Sequence, residues 1–207
     1  MASRRGLNAA VAGVVTAVAV GVGVALEPVL PKTSTEDRAA VPDVPLSELK
    51  VYDITTTRTP FCHNISDSVV ERAVGGPAVA SEYSSGDETA LEPGLNDISH
   101  EFGCVYTRGS TVARVWVFAA PVDEYDAGIM VRDESATVGC VPTGVLKYGV
   151  PGAVLDCTTP EARVLRAIGR IGDAWVHCEL STPLSPPDPK LVMRGQRWCA
   201  AAAYAMQ

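Results

Sequence analysis

The sequence has no C-x-x-C pair, no G-x-S-x-G elbow, no complete G-x-G-x-x-G and no internal repeat. Each absence removes a class of function. Without C-x-x-C, no turn places two thiolates on one zinc ion, so a structural zinc site is not expected. Without the elbow, Arg108-Gly109-Ser110 reads as a hairpin turn and not as the setting of a nucleophile. Gly21-Val22-Gly23 opens a dinucleotide pattern but lacks its third glycine and lies inside an apolar run, so no phosphate site follows. No cysteine stands just after that run, the first being Cys62, which excludes an acyl anchor there. Basic charge is also scarce. Of 17 Lys and Arg and 24 Asp and Glu, only Arg4, Arg5, Lys32 and Glu27 precede residue 33, which leaves 14 basic and 23 acidic side chains, a net −9. Such a charge repels phosphate backbones, so nucleic acid is not an expected partner.

What is present begins with an apolar segment. From Leu7 to Leu26 twenty residues carry no charge. As a helix they span about 30 Å, the thickness of a bilayer's hydrocarbon core. Arg4 and Arg5 lie before the segment and Glu27 after it, which predicts residues 1–6 in the cytoplasm, a single span over 7–26 and everything later outside. Gly23-Val24-Ala25 offers the small residues that signal peptidase reads, so cleavage after Ala25 and secretion is the alternative; the length of the run favours retention as a signal anchor. Ala9, Gly13, Ala17, Gly21 and Ala25 recur every four residues and form one row of small side chains, a surface on which a helix of an integral membrane partner would pack. Residues 27–49 hold Pro28, Pro31, Pro42 and Pro45 among small and charged residues and are expected to form an extended stalk outside the core.

The remaining residues, 50–207, are long enough for one domain, and 47% hydrophobic content in the whole chain supplies a core. Cys62, Cys104, Cys140, Cys157, Cys178 and Cys199 are an even set of widely separated cysteines behind an export signal, which predicts three disulfides. In the segment NISDSVVERAVGG, Ser66 or Asp67 caps a helix with Val69, Val70, Ala73 and Val74 on its apolar side and Gly75-Gly76 at its end. CVYTRGSTVARVWVF is a hairpin signal, preceded by a mobile-looking stretch from Tyr83 to Asn96. VDEYDAGIMVRDESA predicts a second helix with Tyr125, Ile129 and Met130 inward. The stretch 160–170 is open between helix and strand, its continuation through Gly172-Asp173 is read as a hairpin, and Asp188-Pro189 precedes an alanine-rich final helix. The expected fold is α+β, an antiparallel sheet with helices packed on one face and disulfides stapling it. In that layout Cys62 precedes the first helix, Cys104 opens a strand, and Cys178 lies in a strand that the helix of Cys199 covers, so the preferred pairing is 62–104, 140–157 and 178–199.

The pieces FCHNISDSVVERAVGG, FGCVYTRGSTVARVWVF and IGDAWVHCEL resemble those of actinobacterial secreted and lipid-anchored cell-envelope domains of unknown function, over about residues 55 to 207. The resemblance implies an envelope domain and transfers no active-site residues; the lipid-attachment cysteine common in that group is missing here. Candidate chemistry is thin. His63 and His177 adjoin Cys62 and Cys178, but cysteines held in disulfides cannot act as nucleophiles. Asp97, His100 and Glu101 read as a solvated loop and not as a metal site, and Trp116, Trp175 and Trp198 as packing against the bridges. No catalytic residue, cofactor or metal is expected. The leading expectation is a non-enzymatic accessory subunit, anchored by its span to an envelope or inner-membrane complex; the alternative is a secreted or anchored module that binds a small molecule, lipid or glycan, and an enzyme comes third. An apolar pocket of several hundred Å³ favours the second.

Overall fold

Valine, isoleucine and aromatic residues alternate with polar ones through the middle of the chain, and that alternation becomes a sheet. The computed structural model describes residues 41–92, 95–144 and 148–207. The apolar segment 7–26, with Ala9, Gly13, Ala17, Gly21 and Ala25, lies outside them. Among the described residues no helix is long and apolar enough to cross a membrane.

The elements run α1 (Asp67–Val74), β1 (Val79–Tyr83), β2 (Glu88–Glu92), β3 (Leu95–Ile98), β4 (Glu101–Arg108), β5 (Thr111–Phe118), α2 (Glu124–Ser135), β6 (Cys140–Pro142), β7 (Gly152–Thr158), β8 (Ala162–Ile171), β9 (Ala174–Pro183) and α3 (Leu191–Ala205). Seven strands form one antiparallel sheet in the order β1-β4-β5-β9-β8-β7-β6, and β2 and β3 pair separately. The fold is thus α+β. The stretch from Tyr83 to Asn96 contains the end of β1, β2 and the start of β3. The open stretch 160–170 falls almost wholly in β8, and Gly172, at φ +64°, makes the turn into β9.

Helices cover both faces of the sheet, which corrects the expectation of one covered face. The cross-strand row Tyr106, Ala113, Leu180 and Leu165 belongs to the face under α1 and α3. Leu155, Val164, Ile168 and Trp175 point the other way and pack on Ala127 of α2. The reason is the composition of β7 and β8. Val154 and Leu155, like Leu165 and Ile168, are apolar on opposite sides of their strands, so both surfaces must leave water. In α2 the buried position is Ala127, with Met130 and Val131 half-buried; Tyr125, expected inside, is 77% exposed.

The end of the expected stalk is also part of the domain. Leu46 and Leu49 are buried in the main core, with Val41 and Val44 packed against it. The chain at 41–49 therefore packs on the domain through a short turn at Leu46–Glu48 and does not stand clear of it.

The central helix is α3. Ala200, Ala201, Ala202 and Ala203 are all buried, because one side meets β8 and β9 and the other meets α1 and the turn at Leu46–Glu48. Small side chains let it fit there. Leu165 rests directly on Gly195, where any side chain would collide with it. The end of the helix is held by the segment before α1: Thr57 donates through its main-chain N–H and its hydroxyl to the carbonyl of Met206 at 2.7 and 2.9 Å, and the Asn64 amide donates to that of Ala205 at 2.9 Å. These bonds satisfy carbonyls that a helix terminus leaves open.

Candidate functional site

The three disulfides are Cys62–Cys104, Cys140–Cys157 and Cys178–Cys199. They join the segment before α1 to β4, β6 to β7 across a direct register pair, and β9 to α3. With all six cysteines oxidised, neither Cys62-His63 nor His177-Cys178 offers a thiolate. His63 and His100 are exposed, and among the described residues no three His, Cys, Asp or Glu side chains are grouped to hold a metal ion.

A cleft of about 300 Å³ opens between α1 and α3. Its floor is apolar: Val69 and Ala73 from α1, Trp198 and Ala201 from α3, with half-exposed Met193 at the side. Its rim is cationic. Lys190, Arg194 and Arg197 stand at intervals of four and three residues, on the same helix face as Ala201, and Arg72 faces them from α1. Helical spacing alone thus converts one sequence stripe into a row of positive charge above an apolar groove.

Two carboxylates answer these cations. Asp188 pairs with Arg194 at 2.8 Å. Asp43 reaches in from the chain before Leu46: its carboxylate lies 3.1 Å from Arg197 Nη1 and 3.6 Å from Arg72 Nε, and Arg197 Nη1 also donates to its main-chain carbonyl at 2.9 Å. Four cations against two carboxylates leave two positive charges in excess, on a domain whose overall charge is strongly negative. Among the described residues Lys190 makes no ion pair, and Arg194 Nε is buried without a hydrogen-bond partner.

The indole of Trp198 is fixed from both sides. Its N–H donates to the carbonyls of Glu179 at 3.1 Å and Arg114 at 3.3 Å, and Tyr106 meets its ring edge-on at 5.7 Å between centroids. Burial, and then the charges of Glu82 and Asp67, push the Tyr106 phenol up to about 12, so it stays a neutral donor to the Cys62 carbonyl. These contacts hold the indole in one orientation at the groove floor.

A second polar group lies on the opposite face of the sheet. Trp116 and His177, paired in register across β5 and β9, stack at 3.8 Å. Glu179 sits beside them, 7% exposed, with Arg114 at 3.3 Å, His177 Nε2 at 3.6 Å and Arg166 Nε at 3.7 Å; Arg166 also binds Glu134 of α2 at 2.8 Å. Burial alone would raise the Glu179 carboxyl, but His177, Arg166 and Arg114 outweigh it and hold the group below its ordinary value. At the edge, the Tyr83 ring covers Gly103, its register partner, and its hydroxyl donates to Glu101 at 3.1 Å. These charges neutralise one another, so the arrangement braces strands more than it offers a vacancy.

A wider depression of about 650 Å³ runs past His63, Asp67, Glu82 and Tyr106. It is larger but shallow, and its charges are acidic like the rest of the surface. The α1–α3 groove is the stronger candidate because apolar floor and contrasting charge coincide there.

Sequence inspection did not single out Asp43, Arg72, Lys190, Arg194 or Arg197. The i, i+4, i+7 spacing of the three α3 cations was the available signal. Of the expected packing tryptophans, Trp175 and Trp198 are buried, while Trp116 is half-buried against His177. No protein-family model matches the chain, and no curated protein matches it either.

Proposed function

We propose that the chain is a non-enzymatic extracytoplasmic binding module that takes a small molecule in the groove between α1 and α3. The single observation behind this is the cleft of about 300 Å³, whose apolar floor of Val69, Ala73, Trp198 and Ala201 meets a cationic rim. Ligand sites are concave, largely apolar and supplied with a few convergent polar groups, and this groove has all three properties. Three disulfides suit an oxidising compartment, and the segment 7–26 is the means of export or anchoring. The surroundings are those of a cell-envelope domain.

The test is extraction of small molecules from the purified full-length chain, followed by mass spectrometry, beside the Met193→Glu variant. Met193 is half exposed at the groove, so a carboxylate there fills and repels without entering the core. A compound present in the wild type and lost from the variant supports the proposal. If nothing is released and no amphiphile raises the unfolding temperature, the groove is only a packing defect.

A second reading, an accessory subunit docked on an integral membrane protein, is favoured by one feature. Tyr52, 87% exposed, and Val150 flank a shallow depression of about 270 Å³ close in sequence to the proposed stalk. A photo-crosslinker at position 52 that captures the same membrane protein in repeated preparations, and not when placed at Val138, would raise this reading above the first.

A further inference from the structure

We propose that the ligand of the groove is a single-chain aliphatic carboxylate whose head group replaces the Asp43 carboxylate between Arg72 and Arg197 while its chain lies along Val69 and Trp198. This rests on the groove being the binding site and names the class of molecule it takes.

The first support is a carboxylate that already occupies the head position. Asp43 Oδ1 and Oδ2 face Arg197 at 3.1 Å and Arg72 at 3.6 Å. All three side chains are about half exposed, so water screens the pairs and an incoming anion displaces Asp43 at small cost. Arg197 also holds the Asp43 carbonyl, so the segment stays in place when the carboxylate swings away.

The second is charge. Arg194 is engaged by Asp188, whereas Arg72 and Arg197 share the one carboxylate of Asp43, and Lys190 stands beside them. A ligand carboxylate brought into the site lowers its excess from two positive charges to one. The third is the floor. A hydrophilic anion such as inorganic phosphate would satisfy the rim and leave the apolar lining, including half-exposed Met193, uncovered; a neutral chain would cover that lining and leave the cations unanswered. Only an amphiphile uses both. The fourth is size, since about 300 Å³ stands at the small end of ligand pockets and has no room for a two-chain lipid or a folded peptide.

Binding of decanoate, decanol and inorganic phosphate is measured by titration calorimetry on the oxidised full-length chain in lipid nanodiscs, with empty nanodiscs subtracted. Decanoate is expected to bind about tenfold tighter than decanol, and phosphate not to bind. Asp43→Asn, which keeps the main-chain contact and removes the charge, is expected to tighten decanoate about three- to tenfold. Arg197→Gln is expected to weaken it about tenfold and to weaken decanol by far less, the ratio of the two being the readout. If decanoate and decanol bind equally, or Asp43→Asn does not tighten decanoate, the head-group assignment is overturned, although the groove still binds if Met193→Glu abolishes both. If neither probe binds, or Met193→Glu leaves both unchanged, the aliphatic carboxylate is overturned as the ligand; the groove itself falls as a site only if extraction of the wild type also releases no compound that Met193→Glu loses.

Discussion

Arg114 and Glu179 stand opposite each other in the β5–β9 ladder, and they are joined on both faces of the sheet. On one face their side chains pair at 3.3 Å. From the other, the indole N–H of Trp198 reaches both of their carbonyls. One register pair therefore ties the floor of the groove to the buried charge cluster behind it.

Replacing Trp198 with Phe keeps an aromatic ring against Tyr106 and removes the shared donor. The expected cost is about 1–3 kcal/mol, the range for a buried polar contact left incomplete. Urea unfolding followed by circular dichroism measures it. A cost below about 0.5 kcal/mol would mean that the two carbonyls were satisfied by the ladder alone.

Glu179 sets an acid limit. Its folded carboxyl lies below the ordinary value, so it binds a proton less readily folded than unfolded. Its contribution to stability is then present above the unfolded value, near 4.3, and is lost as pH falls through the lower folded one. Unfolding free energy measured from pH 6 to pH 2 should fall through this window, and Glu179→Gln should flatten part of the fall while lowering the plateau by about 1–3 kcal/mol. An unchanged slope in the variant would move the acid sensitivity to other carboxylates.

Glycine to alanine should have opposite signs in two helices. At Gly195 of α3 the new methyl meets Leu165, and the helix must shift, at a cost of about 1–3 kcal/mol. At Gly128 of α2 nothing lies in the way, and the same change should stabilise by about 0.5–1 kcal/mol. Thermal melts of both variants decide this, and Leu165→Ala should recover part of the Gly195→Ala loss, since contacting residues do not add.

Much of the architecture was legible where local signals agreed with tertiary need. Val69, Val70, Ala73 and Val74 with the Gly75 stop spell a helix, and Arg108-Gly109-Ser110-Thr111 between β-branched runs spells a hairpin. The second covered face was not, because Ala127 is a weak hydrophobic signal and Tyr125 a strong one, yet only the first is buried. Nor was the packing of Leu46 and Leu49, since prolines beside them suggest extended chain whatever lies beneath. The groove illustrates the same limit. The α3 cations are one stripe in the sequence, but Asp43 and Arg72 join them only through tertiary structure, 154 and 125 positions away from Arg197.

Removing the Cys178–Cys199 bridge by alanine at both positions should cost about 2–4 kcal/mol, because it ties the central helix to the central strand. Removing Cys140–Cys157, at the margin of the sheet, should cost less. Denaturant melts of the two double variants test the order; a larger loss at the margin would contradict it.

The bridges also share a pattern: each cysteine is joined to its neighbour in chain order. Six cysteines permit fifteen connectivities. When such a chain meets an oxidant N-terminus first, Cys62 waits only for Cys104, Cys140 only for Cys157, and Cys178 only for Cys199. The native partner is always the next thiol to arrive. Oxidation can then keep pace with emergence of the chain, bridge by bridge, and the slow reshuffling that interleaved pairings require is avoided.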